Sequence, residues 1–168
     1  MTSRPGLPSI PFVRPSGSTS FEHSILIAVA PTRVLTAFFD PAALSSWWLT
    51  TRSVTTPRVL GVYAVEWAPI PGEDEVLGHL GGVFYGGVIE YIAGRELFVG
   101  DAWWLPPEGD PLGPMALEVR CEMAGPACRL TVTQSGLDEG PRWDRYYDVI
   151  ASGWKASLTR LKVMLEAD

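Results

Sequence analysis

Histidine and cysteine are scarce in this chain, with two of each among 168 residues. That scarcity removes most catalytic and metal chemistry at once. No His-x-x-x-His pair, no Cys-x-x-Cys pair and no carboxylate cluster with ligand spacing occurs, so no metal and no cofactor is expected. Triad-type nucleophilic catalysis needs a Ser or Cys beside a base that a third group orients. The candidate bases are His23, in a predicted strand, and His79, a candidate rim residue in a glycine-rich stretch. Cys121 and Cys128 do not have metal spacing and read as buried free thiols. Basic residues are also few: 13 Lys and Arg against 19 Asp and Glu give a net charge of −6, which argues against a nucleic-acid partner. No glycine-rich loop joins a strand to a helix, so no phosphate cradle is expected. No apolar run approaches the ~18 residues that a membrane-spanning helix needs. Residues 1–20 hold four prolines and no apolar block of signal-peptide length, so a flexible tail and a cytoplasmic protein are expected.

What the chain does have is apolar and aromatic. Hydrophobic residues make up 46% and seven are tryptophan, a globular composition with enough bulk for one core. The clearest element spans residues 141–166. Trp143, Tyr146, Tyr147, Ile150, Trp154, Leu158, Leu161 and Leu165 recur at helical spacing, while Asp144, Arg145, Asp148, Lys155, Arg160 and Lys162 take the other side. Pro141 suits the first helical position, with Gly140 as its cap. Gly153 inside this helix costs about 1 kcal/mol relative to Ala, which close approach to the sheet would explain.

Upstream, the pattern is mostly that of strands. Residues 21–29 alternate, with Phe21, His23, Ile25 and Ile27 on one parity. Two short helices follow, one opening near Pro31 and the other over 41–46, separated by Asp40-Pro41. Residues 52–56, 61–68, 83–92, 95–104, 115–122 and 128–135 then read as strands. Gly86-Gly87 predicts a bulge, as a curved sheet requires. Residues 69–82 and 105–114 are Pro- and Gly-rich loops. A turn at Ala124-Gly125 would pair Cys121 with Cys128, Val119 with Leu130 and Leu117 with Val132, all on the buried face, and would set the two thiols opposite each other. Successive hairpins imply an antiparallel sheet, and helices gathered on one face of it make an α+β domain. Residues 21–168 are expected to form that single domain.

Four stretches carry a resemblance: "IAVAPTRVLTAFFDPAALSSWW" at 27–48, "GGVIEYIAGRELFV" at 86–99, "CRLTVTQSG" at 128–136 and "SGWKASLTRLKVMLE" at 152–166. In order and spacing they resemble the START-related, Bet v 1-like (SRPBCC) superfamily, and within it the bacterial homologues of the activator of heat-shock-protein-90 ATPase. The resemblance covers residues 21–166. It implies a helix-grip fold, in which a curved antiparallel sheet of about seven strands grips a long C-terminal helix, with two short helices after the first strand. It also implies a cavity between sheet and helix for small or lipid-like apolar ligands. Two departures stand out. The strand that often ends Thr-His-Ser-Gly in the family reads Thr133-Gln134-Ser135-Gly136, which removes a titratable group, and both Pro- and Gly-rich loops could reshape the cavity mouth. The eukaryotic chaperone activator has an additional N-terminal domain that a tail of 20 residues is not expected to supply, so chaperone activation is not carried over from the resemblance.

The cavity candidates are Trp47, Trp48, Tyr63 or Trp67, Tyr85, Glu90, Trp103, Trp143, Tyr147, Ile150 and Trp154, all on elements that border the sheet–helix space. Glu90, Arg120 or a Tyr hydroxyl would orient the ligand. The expected function is therefore the binding of a small hydrophobic or amphipathic molecule. Two alternatives belong to other classes. A cyclase- or hydrolase-like enzyme would need Glu66, Glu90 or Asp101 buried in the cavity as an acid or base, though alternation equally lets each face water. A chaperone-associated interaction module would need a filled cavity and an exposed apolar patch. The sequence leaves the oligomeric state open, a homodimer included.

Overall fold

The computed structural model describes residues 20–70 and 74–167; the expected N-terminal tail lies outside the described residues, apart from Ser20. Seven strands form one antiparallel sheet: β1 (Ser20–Ile27), β2 (Arg52–Thr55), β3 (Val62–Trp67), β4 (Gly82–Ile92), β5 (Glu96–Leu105), β6 (Leu112–Ala124) and β7 (Ala127–Ser135). Their order across the sheet is β1-β7-β6-β5-β4-β3-β2. β2 to β7 are therefore joined to their neighbours in sequence, whereas β1 has crossed to the far edge. The two short helices, α1 (Pro31–Thr36) and α2 (Pro41–Trp47), span that crossing. Both start on proline, whose missing N–H is no loss in a first turn. Asp40 caps α2 by accepting a hydrogen bond from the Ala43 N–H at 2.9 Å.

The long helix α3 (Pro141–Glu166) carries the expected apolar stripe and begins at Pro141 after Gly140. Its C-terminal half is tied down on two sides. Lys162 Nζ donates to the Leu26 carbonyl and the Ala28 N–H donates to Glu166, which fastens the helix to β1. Arg160 Nε donates to the Trp47 carbonyl, which fastens it to the end of α2. His23 joins in, its Nε2–H donating to the Ala151 carbonyl at 2.9 Å, so this histidine is structural. Below this half of the helix the sheet, α1 and α2 close a dry core, with Ile27, Val34, Phe38, Leu97, Leu130 and Leu161 fully buried.

The β6–β7 hairpin corrects the expected register. Its turn is Gly125-Pro126, so Ala124 faces Ala127, Cys121 faces Leu130, Val119 faces Val132 and Leu117 faces Gln134. The offset from the expected pairing is two residues, and a side-chain period of two leaves every buried residue on the buried face. The thiols are therefore diagonal neighbours rather than opposite ones. Both are free, and burial pushes the Cys121 and Cys128 thiols up, away from reactive thiolate.

The predicted irregularity of β4 is present. Register shifts occur between Tyr85 and Gly87 and between Val88 and Glu90 on β4, and between Val99 and Ala102 on β5. At Gly86 a Cβ would lie 2.7 Å from Val99 Cγ1 and 2.8 Å from the Gly100 carbonyl oxygen, closer than any side chain fits. Asp101, with φ 47, completes the distortion on β5. These breaks bend the sheet around α3 and reset which parity faces inward.

Candidate ligand-binding cavity

α3 divides its apolar surface into two sectors. At about 100° per residue, Tyr147, Trp154, Leu158, Leu161 and Leu165 cluster on one line, and Tyr146, Gly153, Ser157 and Arg160 on another within ~40° of Tyr146. The first sector meets the core, and Trp154 at its margin also borders the cavity. The second, with Val149 and Ile150, faces a cavity of about 390 Å³ between helix and sheet. The opposite wall is Phe84 and Trp104, direct cross-strand partners on β4 and β5. The side wall is Trp48 and Trp67. The mouth carries Leu49 and Ile70, 55% and 50% exposed. Leu49 holds a left-handed backbone, φ 60, where the chain turns out of α2.

Local sequence explains these walls. Trp47 and Trp48 stack with centroids 5.0 Å apart and planes within 5°. Trp47 is the inner ring, fully buried, its Nε1–H donating to the Ala37 carbonyl at 2.9 Å. Trp48 is the outer ring, packed against Trp154 at 4.8 Å and edge-on to Trp67 at 5.3 Å. Three indole N–H groups of the cavity wall are engaged by the protein itself. Trp67 donates to the Trp48 carbonyl, Trp104 to the Gly81 carbonyl and Trp154 to Gln134 Oε1. The walls therefore present ring faces and edges, an apolar surface.

Polar groups sit at two places. Gln134, 2% exposed, accepts from Trp154 Nε1 at 3.0 Å and donates to the Tyr146 hydroxyl at 3.1 Å and to Met115 Sδ at 3.4 Å. Burial pushes the Tyr146 phenol up, so it stays protonated. Its oxygen accepts from Gln134, which leaves the O–H hydrogen to donate. The glutamine thus stands where the family often has histidine and links helix to sheet without a titratable group. At the other place, Arg160 Nη2 donates to Ser157 Oγ at 3.1 Å, and its Nε is bound to the Trp47 carbonyl at 3.0 Å.

Four of the expected cavity residues line this space: Trp48, Trp67, Ile150 and Trp154. The other candidates lie elsewhere. Trp47 and Tyr63 are core, Tyr63 donating its hydroxyl to the Phe38 carbonyl at 2.7 Å. Trp143 lies edge-on to Tyr146, and Tyr147 edge-on to Phe21, outside the cavity lining. Tyr85, 41% exposed, and Trp103, its cross-strand partner, take the outer face of the sheet. Their neighbours Phe84 and Trp104 point inward instead, because the bulge around Asp101 resets parity. Glu90 and Arg120 do not line the cavity; Arg120 lies 3.8 Å from Glu118. The three carboxylates named for acid–base chemistry are off the cavity too. Glu66 pairs with Arg52 at 2.6 Å, and Asp101 accepts from Trp103 Nε1 at 3.1 Å. A Cβ placed on Gly153 would meet nothing within 4 Å, so close approach to the sheet is not the role of this glycine; it opens onto the cavity. Gln134, Tyr146, Ser157 and Arg160 also line the space, although the sequence reading does not single them out for it. The signal that could find three of them is angular, since Tyr146, Ser157 and Arg160 share one line of the helix with Gly153.

The loop before β4 forms part of the mouth through Ile70, Leu77 and Leu80; His79 between them does not line the cavity. Asp74 holds this loop. Its carboxylate accepts from the Val76 and Leu77 N–H groups, each at 3.0 Å, and from Arg145 Nε on α3 at 2.7 Å. The Leu77 N–H and Arg145 hold the Asp74 carboxyl below the usual carboxylate range. A depressed folded value means the stabilisation is complete above the ordinary Asp value of about 3.9 and is lost as pH falls through the folded one. Asp74→Asn should therefore lower the denaturant midpoint at pH 7, with the difference from wild type shrinking at pH 3. An unchanged difference at the two pH values would exclude this anchor.

A seven-stranded antiparallel sheet gripping a C-terminal helix over an apolar cavity defines the START-related, Bet v 1-like class, the helix-grip fold. More narrowly, the chain belongs to the family described as Activator of Hsp90 ATPase homolog 1-like protein, which matches residues 28–166. Solved structures agree on the fold. Protein CV1439 from Chromobacterium violaceum is 22% identical, with a TM-score of 0.65 over 89% of this chain and 99% of that one. The Aha1 dimer from Colwellia psychrerythraea is 17% identical, with a TM-score of 0.58 over 86% and 94%. PFC0360w, an HSP90 activator from Plasmodium falciparum, is 18% identical, with a TM-score of 0.60 over 89% and 97%. No curated protein matches the chain. Among the described residues, no helix is long and apolar enough to cross a membrane.

Proposed function

We propose that the protein binds a small, largely apolar molecule between the sheet and α3. The observation that carries this reading is the open cavity of about 390 Å³, walled by Trp48, Phe84 and three further tryptophans, Trp67, Trp104 and Trp154, whose indole N–H groups are already bonded. A cavity of this size falls in the range that takes small ligands. Apolar burial supplies affinity at about 25 cal/mol per Å², and the few polar groups set orientation. A ligand at 100 times its Kd stabilises the fold by about 2.7 kcal/mol, which in a chain of this length raises Tm by about 5–10 °C. Native mass spectrometry of the purified protein against its denatured mass tests for a carried ligand. Thermal shifts against a diverse set of apolar probes test the empty form. A single clean mass together with no shift from any probe would sink the proposal.

Membership of the Activator of Hsp90 ATPase homolog 1-like family favours a second reading, in which the chain contacts a chaperone. Co-sedimentation with purified heat-shock-protein-90, with and without an apolar probe in the cavity, separates the two. Chaperone binding indifferent to the probe, with no ligand found, favours the second.

A further inference from the structure

We infer that the ligand of this cavity is an elongated amphiphile ending in a carboxylate, with its acid group held by Arg160 and Ser157. The inference rests on the proposed ligand-binding reading and adds the chemical class of the ligand.

Among the described residues, Arg160 is the one charged side chain lining the cavity, and no carboxylate pairs with it. A guanidinium carries five N–H donors, and this one engages Nε with the Trp47 carbonyl and Nη2 with Ser157. The remaining N–H groups have no acceptor among the described residues. Ser157 is 4% exposed, and its oxygen already accepts from Arg160, so its own hydrogen is free to donate. Two donor groups therefore converge beside an apolar chamber with an unneutralised positive charge. Arginine matches carboxylate in a planar fork, and such bonds are about twice as strong as neutral ones. A single cation suits a single negative charge. A dianionic phosphate would call for more.

The shape follows from the helix. Tyr146 and Ser157, the residue to which the Arg160 guanidinium reaches back, both line the cavity, and 11 residues at 1.5 Å each put their backbones about 16.5 Å apart along α3. Between them the lining is Val149, Ile150, Gly153 and Trp154, with no charge. A compact acid would leave most of this surface wet. A long alkyl or arylalkyl acid covers it, with its hydrocarbon end towards Tyr146.

Arg160 also braces the C-terminal end of α2 through the Trp47 carbonyl, so its test must separate charge recognition from support. Isothermal titration would compare matched pairs, dodecanoate with dodecanol and phenylbutanoate with phenylbutanol, on the full chain. In wild type the acid should bind at least about tenfold tighter than the alcohol. Arg160→Gln, which can still donate to the Trp47 carbonyl, should abolish that preference by weakening the acid far more than the alcohol. Arg160→Lys, which keeps the charge without the fork, should retain a reduced preference. Equal affinity of wild type for acid and alcohol overturns the inference while the apolar-binding reading stands. Equal weakening of both by Arg160→Gln overturns it too, and makes Arg160 a brace alone. Binding of neither pair by wild type overturns the ligand-binding reading and this inference with it.

Discussion

Gly153→Phe should weaken apolar ligand binding by about 70-fold or more and leave the fold as stable as before, or more so. Most cavity-blocking substitutions trade one effect against the other, because the replaced residue already packs against something. Gly153 packs against nothing: an added Cβ there has no heavy atom within 4 Å, yet the residue lines the cavity and lies on the same line of α3 as Tyr146 and Ser157. A phenyl ring at this point enters space that a ligand would otherwise fill. Losing about 100 Å² of buried ligand surface costs ~2.5 kcal/mol, so affinity should fall about 70-fold or more. In the opposite direction, glycine in a helix interior is about 1 kcal/mol worse than alanine, and its replacement removes that cost. Gly153→Ala is the control: it should raise Tm by about 2–4 °C and leave binding nearly unchanged. Titration of a probe that shifts the wild-type melting curve, alongside denaturant unfolding of the three proteins, gives both numbers. Undiminished binding by the phenylalanine variant would mean that ligands enter elsewhere.

The same glycine shows how far a sequence reading reaches. The helix itself is plain from spacing, because a 3.6-residue period over residues 141–166 has no competitor. So is the order of one strand, two short helices, six strands and a helix, since Pro31, Asp40-Pro41 and the glycine-rich breaks punctuate it. What periodicity cannot distinguish is an apolar residue that fills a core from one that borders a void. Ile150 and Leu158 both satisfy the stripe, yet one lines the cavity and the other is core. The division depends on what the sheet places opposite them.

The strand faces are illegible for a different reason. Phe84-Tyr85 and Trp103-Trp104 are adjacent aromatic pairs, so either parity buries a ring and alternation carries no information. The bulge that decides between them is set by Gly86, where a side chain would collide with Val99, and by the positive φ of Asp101. Only Gly86-Gly87 announces it in the sequence. The β6–β7 hairpin departs in a milder way, two residues out of register with every face right, because Gly125-Pro126 rather than Ala124-Gly125 makes the turn. Arg160 reads as a solvent-side residue because charge usually marks that side. Its proximity to the line of Tyr146 and Ser157 matters more than its charge.

Trp47→Ala should cost about 3–5 kcal/mol of stability, and Trp48→Ala clearly less, although the two rings are adjacent in sequence and stacked in space. Trp47 has no exposure, touches Phe38 at a centroid distance of 4.9 Å and bonds the Ala37 carbonyl. Truncation there leaves a sealed void between α1 and α2 and an unpaired buried carbonyl, and each adds to the loss. Trp48 turns one side to an existing cavity. Its removal enlarges that cavity, which water can enter from the mouth, so part of the penalty is avoided. The binding consequences run the other way. Trp48→Ala should weaken small apolar ligands by removing a wall and shift preference towards bulkier ones, while Trp47→Ala, in whatever fraction remains folded, should keep the wild-type order of preference. Urea midpoints for both variants, with a size series of probes at low denaturant, measure the contrast. Equal midpoints would show that Trp48 is core as fully as Trp47, and that the boundary between core and cavity lies on the far side of its ring.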